Sequence, residues 1–319
     1  MCKSVRILDE WPLCGHLSDT ARWVASGVLG ALHVVVGAGG SARAVKRAAT
    51  AVVESARTHG WTPAVIDLAD LPSRLPTIER LVLCGGDGLV HRAVQHLAGS
   101  GVDVAVVPVG SGNDFVRAFG IAGDAAVAVA TAAPGAARIR EVDLLVADGA
   151  PPTYAATVLT AGYSGRVNAT ANRMRFPPGS AKYTVAAIRE IGRLGARFVK
   201  LTLGAPDGSV EVIEEPLTLI AIGNTGWFGG GMEICPAADP SDGLLEVVTV
   251  GPLSRLEFAR WLPSVFKGAH CDHPQVSTQR AAEVTIETTE SLWADGEPFP
   301  AAPITVRIAP AALRLVVPD

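Results

Sequence analysis

Leu83 to Ile121 reads LCGGDGLVHRAVQHLAGSGVDVAVVPVGSGNDFVRAFGI. Two short apolar runs, Leu81 to Cys84 and Val104 to Val107, have the length of buried strands. Each runs straight into a glycine-rich turn: Gly85-Gly86-Asp87-Gly88 after the first, Gly110-Ser111-Gly112-Asn113-Asp114 after the second. Between them Val90 to Leu97 has helical spacing, and Phe115 to Gly120 begins another helix. Strands alternating with helices imply a parallel sheet covered on both faces. Such sheets bind ligands at the carboxyl ends of their strands, where both glycine turns fall.

The same grammar extends upstream. Leu32 to Val36 and Thr62 to Leu68 are strand candidates, and Ala42 to His59 carries helical spacing at Val45, Ala49, Val52 and Ala56. After about Asp143 the pattern becomes β-rich: Tyr154 to Thr160, Phe198 to Leu203, Leu217 to Ile222, Leu244 to Val250, Ala282 to Glu287 and Ile304 to Ile308. Turns such as Pro206-Asp207-Gly208 and Asp242-Gly243 separate several of these runs. The second half therefore reads as a mainly antiparallel β-sandwich with one helical insertion, Ala181 to Ala196. The expected division is an α/β domain over 1–143, a β domain over 144–300 and a final strand within 301–319. Residues 1–30 are expected as an extension of that first domain, with Trp11 and Trp23 as the candidates to pin it there.

Bulk composition fits two domains. The 319 residues exceed what one core usually supports. No apolar stretch reaches the roughly 18 residues of a spanning helix, and Asp9, Glu10 and Asp19 occupy the place of a basic signal region. A soluble, cytoplasmic protein is expected. The five cysteines are scattered, odd in number and unpaired in spacing, which counts against a zinc site or disulfide framework. A net charge of −4 offers no broad basic surface for nucleic acid. Arg166, Arg173, Arg175, Lys182, Arg189, Arg193, Arg197 and Lys200 do form a local basic stretch, and such runs are usually solvated helix faces.

A strand ending in Gly-Gly-Asp-Gly lets backbone amides approach a phosphate, because glycine has no Cβ and adopts positive φ freely. A carboxylate beside phosphates is tolerable only with a bound cation, so Asp87 implies Mg2+. Alone, such a motif is usually only a turn; two of them at the ends of adjacent strands are not a coincidence.

The stretch Leu83 to Ile121 resembles the nucleotide-binding core of the diacylglycerol, sphingosine and ceramide kinase superfamily. Downstream, Gly223-Asn224, Gly229-Gly230-Gly231-Met232, Pro236-Ala237-Ala238, Asp242-Gly243-Leu244-Leu245 and Asp295-Gly296-Glu297 match that family in order. The resemblance implies a phosphofructokinase/NAD kinase-like N-terminal α/β domain, a C-terminal β-sandwich that receives the acceptor, a cleft between them and a last strand returning to the first domain. It implies ATP as phosphate donor, held through Gly85, Gly86, Gly88, Gly110, Ser111 and Gly112, with Gly39, Gly40 and Ser41 in the first loop. Asn113 would orient the nucleotide or a water. Asp87 and Asp114 would share Mg2+, and Glu297, with Asp295, would approach the acceptor hydroxyl as base. Asp242 resembles the carboxylate of a structural metal site, although Ser241 stands where relatives often have a second aspartate; a turn-capping role fits it equally.

The first loop, Gly37-Ala38-Gly39-Gly40-Ser41, departs from the family's usual Asn-Pro-x-Ser-Gly. Tyr163, Arg173, Arg175, Phe176 and Tyr183 fall in a segment that relatives use near the substrate cleft, and Trp227 and Phe228 lie next to the glycine cluster. Three readings remain open: a kinase of a lipid alcohol such as diacylglycerol, a kinase of a soluble alcohol, and a nucleotide-binding regulatory pseudokinase. Peripheral contact with the inner membrane surface and a homodimer accompany the first as expected partners.

Overall fold

The computed structural model describes residues 29–37, 41–123, 125–133, 136–177 and 181–318. Trp11, Trp23, Gly39 and Gly40 lie outside them. The first part runs β1 (Leu29–Val36), α1 (Ala42–Thr58), β2 (Trp61–Ile66), α2 (Leu71–Arg74), β3 (Arg80–Gly85), α3 (Asp87–Leu97), β4 (Asp103–Pro108), α4 (Asp114–Arg117) and α5 (Ala125–Thr131). Strands β2-β1-β3-β4 lie side by side and parallel. Every residue of β3 is buried, as a strand covered on both faces requires. Helix α1 packs on this sheet with Ala49, Val52, Val53 and Ala56 and also buries Val45, following the i, i+4, i+7 stripe that its sequence shows.

The second part contains β5 (Arg138–Ala147), β6 (Thr153–Ala155), β7 (Val158–Gly162), α6 (Tyr163–Arg173), α7 (Ala181–Ile191), β8 (Arg197–Gly204), β9 (Val210–Leu217) and β10 (Leu219–Gly223). A short hairpin, β11 (Trp227–Phe228) and β12 (Met232–Glu233), precedes β13 (Leu245–Val250) and α8 (Arg255–Trp261), which continues into a 3-10 segment at Leu262–Lys267. The chain ends with β14 (Val276–Ala281), β15 (Glu283–Thr288), β16 (Trp293–Ala294), β17 (Glu297–Pro298) and β18 (Ile304–Val317).

Two layers of this part pack face to face. One is the antiparallel sheet β14-β13-β10-β7-β16-β17. The other is not a separate sheet: it continues the parallel one, in the order β2-β1-β3-β4-β18-β15-β8-β9, with β5 on β18 and β6 on β5. The core between the layers takes Leu159, Ile220, Ile222 and Val247 from one, and Leu145, Leu201, Ile286 and Val306 from the other. The alternate residues Leu219, Ala221, Val248 and Val250 point away from that core, toward α8 and the 3-10 segment. Period-2 alternation thus gives the six-stranded sheet two apolar faces, one on a sheet and one on helices.

Strand β18 joins the two parts. Its Arg314 and Leu315 pair parallel with Asp103 and Val104 of β4, its Ile304–Arg307 pair antiparallel with β15, and most of its length pairs with β5. The apolar run expected as strand covers Ile304 to Ile308, whereas the strand continues to Val317 past Ala309-Pro310-Ala311-Ala312. The strand bulges there: Ala311 adopts φ 48° and donates its N–H to the buried Asp143 carboxylate at 2.8 Å.

Three helical features differ from expectation. The insertion helix α7 stops at Ile191 rather than Ala196, ahead of Gly192 and Gly195. Helix α6 escaped notice because YSGRVNATANR is poor in helix formers. It is held instead by packing, with Tyr163 stacked edge-on against Phe258 of α8 at 4.5 Å between centroids. Helix α8 itself carries a capping box, Ser254 with Glu257, that was legible but not read.

Leu315 is fully buried where β18 joins β4 and β5. Leu315→Ala should cost about 2–5 kcal/mol, read as a fall in the denaturation midpoint. Removing everything from Ile304 onward should leave no cooperative unfolding transition.

Candidate active site

The two glycine turns meet backbone to backbone. A Cβ on Gly86 would lie 2.8 Å from the Cα of Gly110, and one on Gly110 would lie 2.6 Å from the Cα of Gly86. No side chain fits at either position, so the carboxyl ends of β3 and β4 close into one cradle. Asn113 shapes it from within. It adopts φ 55°, its Oδ1 accepts the Gly110 N–H at 3.0 Å, and its amide donates to the Gly110 carbonyl at 2.8 Å. The side chain expected to orient the nucleotide or a water is thus bonded to its own loop through one N–H and its oxygen.

Asp87 and Asp114 converge across Gly112, whose added Cβ would lie 2.8 Å from Asp87 Oδ2 and 3.5 Å from Asp114 Oδ2. Asp87 Oδ1 accepts the Phe115 N–H at 3.0 Å, tying α3 to the start of α4. Asp114 Oδ2 accepts the Gly230 N–H at 2.7 Å from the β11–β12 turn, where Gly229, Gly230 and Gly231 all have positive φ. Burial pushes Asp87 up, opposed mainly by the Phe115 N–H. Burial, then repulsion from Asp87, pushes Asp114 up to about 6. Asp114 Oδ1 is buried with no hydrogen-bond donor. Two facing carboxylates with an undonated buried oxygen fit a divalent cation with oxygen ligands.

The Asp-Gly-Glu segment is a tight hairpin. Ala294 pairs with Glu297, and the two residues between them, Asp295 (φ 54°) and Gly296 (φ 81°), have the positive φ of a two-residue turn. This hairpin is not on the surface. The Asp295 side chain is 1% exposed and receives four donors: His91 Nδ1 at 2.9 Å, Ala156 N at 2.9 Å, Thr157 N at 2.8 Å and Thr157 Oγ1 at 2.6 Å. Burial alone would raise its pKa, but His91 and the Thr157 and Ala156 donors outweigh it and hold Asp295 below the usual carboxylate range. Every lone pair is directed at structure, so Asp295 positions the hairpin rather than meeting an acceptor. The same bonds explain why Tyr154 to Thr160, expected as one strand, divides into β6 and β7: the Ala156 and Thr157 amides bond the carboxylate instead of a neighbouring strand. Beyond the turn Glu297 projects over the start of α3, its Oε1 3.3 Å from where a Cβ on Gly88 would stand. Its carboxylate has no hydrogen-bond donor among the described residues.

A single cavity of about 900 Å³ joins these groups. At one end are Gly37, Gly86, Gly88, Gly110, Ser111 and Gly112; Asp87, Asp114, Asp295 and Glu297 line its middle. Beyond them it continues into an apolar chamber walled by Ile191, Leu219, Ile234, Trp261, Leu262 and Val265. Gly85 lies just behind the cradle, packed on Leu89, and Ser41 stands at the N-terminus of α1 without a side-chain cap bond.

Profiles of two families match the chain: the diacylglycerol kinase catalytic domain over residues 34–147, and the YegS C-terminal NAD kinase beta sandwich-like domain over 157–317. A diacylglycerol kinase of Mycobacterium tuberculosis (strain H37Rv) is 37% identical over 248 residues, covering 75% of this chain and 77% of that protein. The chain belongs to the diacylglycerol kinase family. A YegS-like protein of Stenotrophomonas maltophilia (strain K279a) is 29% identical over 255 residues, covering 76% and 79% of the two chains. A solved diacylglycerol kinase structure from Bacillus anthracis (strain Sterne) shares the fold at TM-score 0.65 and 17% identity, covering 92% of this chain and 98% of that one.

Within this kinase fold the expected residues divide sharply. Asp242 stays apart from the cleft. Its Oδ1 accepts the Leu244 N–H at 3.0 Å and its Oδ2 pairs with Arg280, so a guanidinium already neutralises it and it caps a turn. No group of three or more metal-ligating side chains forms among the described residues. Of the seven cleft candidates from the second half, Tyr163, Tyr183 and Phe228 line the cavity, whereas Arg173, Arg175, Phe176 and Trp227 do not. Sequence reading missed the apolar chamber, whose residues look like ordinary core, and the strut from His91 to Asp295, which spans 204 positions.

An Asp pKa raised to about 6 in the fold, against about 3.9 when unfolded, means that stability falls as pH rises between those values. Without a bound cation, Asp114→Asn should therefore stabilise the protein above pH 7 by on the order of 2 kcal/mol. The gain should vanish below pH 4, as thermal melts across pH will show.

Proposed function

We propose that this family member transfers the γ-phosphate of ATP to the hydroxyl of a long-chain lipid alcohol of the diacylglycerol type, with Mg2+. The observation that carries the reading is the continuity of the cavity. One space runs from the glycine cradle, past Glu297, into the apolar chamber of Ile191, Leu219, Ile234 and Trp261. A soluble alcohol has no use for such a chamber, whereas an acyl chain fills it. The names of the mycobacterial and YegS-like relatives support the same class of acceptor.

The roles follow from position. The amides of Gly86, Gly88 and Gly112 would serve the phosphates, with Gly37 lining the same end of the cavity, while Asn113 holds the Gly110 N–H within the loop. Asp87 and Asp114 would hold Mg2+, which when bound offsets charge on the phosphates and relieves the repulsion that raises Asp114. Glu297 accepts the proton as the acceptor oxygen bonds to the γ-phosphorus and ADP departs. Asp295, through His91 and Thr157, fixes the hairpin that presents Glu297. With a carboxylate at each of these positions, nothing in the site argues for a pseudokinase.

Transfer of labelled γ-phosphate should appear on diacylglycerol in mixed micelles and not on soluble polyols; the reverse result would sink the lipid reading. Glu297→Gln should lower kcat by about 10²–10⁴-fold with the melting temperature unchanged. Ile191→Trp should close the chamber to long-chain acceptors while sparing a short-chain diacylglycerol, measured as the ratio of their kcat/KM values.

A further inference from the structure

The apolar chamber opens through a part of the surface that the fold leaves uncovered. Ile188 of α7 and Phe266 of the 3-10 segment both line the cavity, yet they are 67% and 55% exposed. They form its rim. On α7 the exposed Val185 and Arg189 follow Lys182 at spacings of three and four, one stripe of the helix surface. Lys267, also exposed, adjoins Phe266. Lys182, Arg189 and Lys267 have no carboxylate partner among the described residues.

The charge around the rim opposes that of the whole chain. Between Tyr163 and Arg197 there are seven cations and one acid, in a protein of net charge −4. That acid, Glu190, pairs with Arg193, and Arg166 and Arg197 pair with Glu290, which leaves Arg173, Arg175, Lys182 and Arg189 without a carboxylate partner among the described residues. Large apolar side chains exposed among unpaired cations call for a partner that offers hydrocarbon behind an anionic surface. A bilayer containing acidic phospholipid has both.

We propose that the rim formed by α7 and Phe266 docks on an anionic membrane, seating the mouth of the chamber against the bilayer. A lipid then passes from membrane to cleft without crossing water. The proposal deepens the lipid-acceptor reading and rests on it for the direction of traffic, but docking itself is measured without turnover. Cations near an anionic surface each contribute about fivefold to binding, and Val185, Ile188 and Phe266 add apolar contact.

The test compares vesicles of phosphatidylcholine alone with equimolar phosphatidylcholine and phosphatidylglycerol, by co-sedimentation. The wild-type chain should bind the mixed vesicles and not the neutral ones. V185D/R189E/K267E, none of which lines the cavity, should bind the mixed vesicles at least about tenfold more weakly. It should phosphorylate a short-chain, water-dispersed diacylglycerol as the wild type does and lose turnover of long-chain diacylglycerol presented in vesicles. Should the triple variant melt lower, R189E/K267E carries the comparison. Equal binding to both vesicle types, or unchanged binding by the variants, overturns the docking face. A lipid-free dimer that the substitutions dissociate also overturns it, in favour of a second copy of this chain. Absence of turnover on every diacylglycerol, with vesicle binding intact, would sink the substrate reading and leave the docking face standing.

Discussion

The contact between the Cα atoms of Gly86 and Gly110 sets the spacing of everything else in the cleft. Two strand ends can approach so closely only where neither residue has a side chain, and that approach brings Asp87 and Asp114 together across Gly112. Repulsion between two buried carboxylates is an unfavourable arrangement that the fold sustains by donating backbone N–H groups to each. Phe115 serves Asp87 and Gly230 serves Asp114, so the acidic pair is held by α4 on one side and the β11–β12 turn on the other. A site assembled this way is under electrostatic tension that a bound cation would relieve, a common trade of stability for function.

The hairpin of Asp295 and Glu297 is fixed by different means. Asp295 is a hub rather than a reagent: one carboxylate satisfies α3, the junction between β6 and β7, and a turn of positive φ. Burying a lone charge is costly, and here four donors offset the cost. Because His91 belongs to the helix that begins with Asp87, its bond to Asp295 ties the cradle to the hairpin that carries Glu297.

How much of this could be read in the sequence followed from how local each signal was. The glycine turns were legible because strand, turn and helix follow one another within a dozen residues, and the superfamily motifs then indicated the sandwich. The bond from His91 to Asp295 was not, since nothing near either residue marks the other. The Asn113 role came from the family motif, and the sequence carries no sign that its side chain both accepts from and donates to Gly110. The chamber was illegible for a plainer reason: Leu219 and Val265 facing a cavity are the same residues as Leu219 and Val265 facing a core. Helix α6 was hidden by composition, its helicity coming from Tyr163 against Phe258 rather than from propensity.

Strand β18 gives the molecule a temporal property as well as a spatial one. Residues 304–317 leave the ribosome after every other strand described, yet they fill the gap between β4 and β15. Until they emerge, the parallel strands and the sandwich are two incomplete sheets with open edges, the kind of surface on which other chains add. Pairing Leu315 with Val104 closes a loop of some two hundred residues, a slow event on topological grounds. Until β18 emerges, the strands made before it therefore carry open edges, and closure of the shared sheet waits on that one strand.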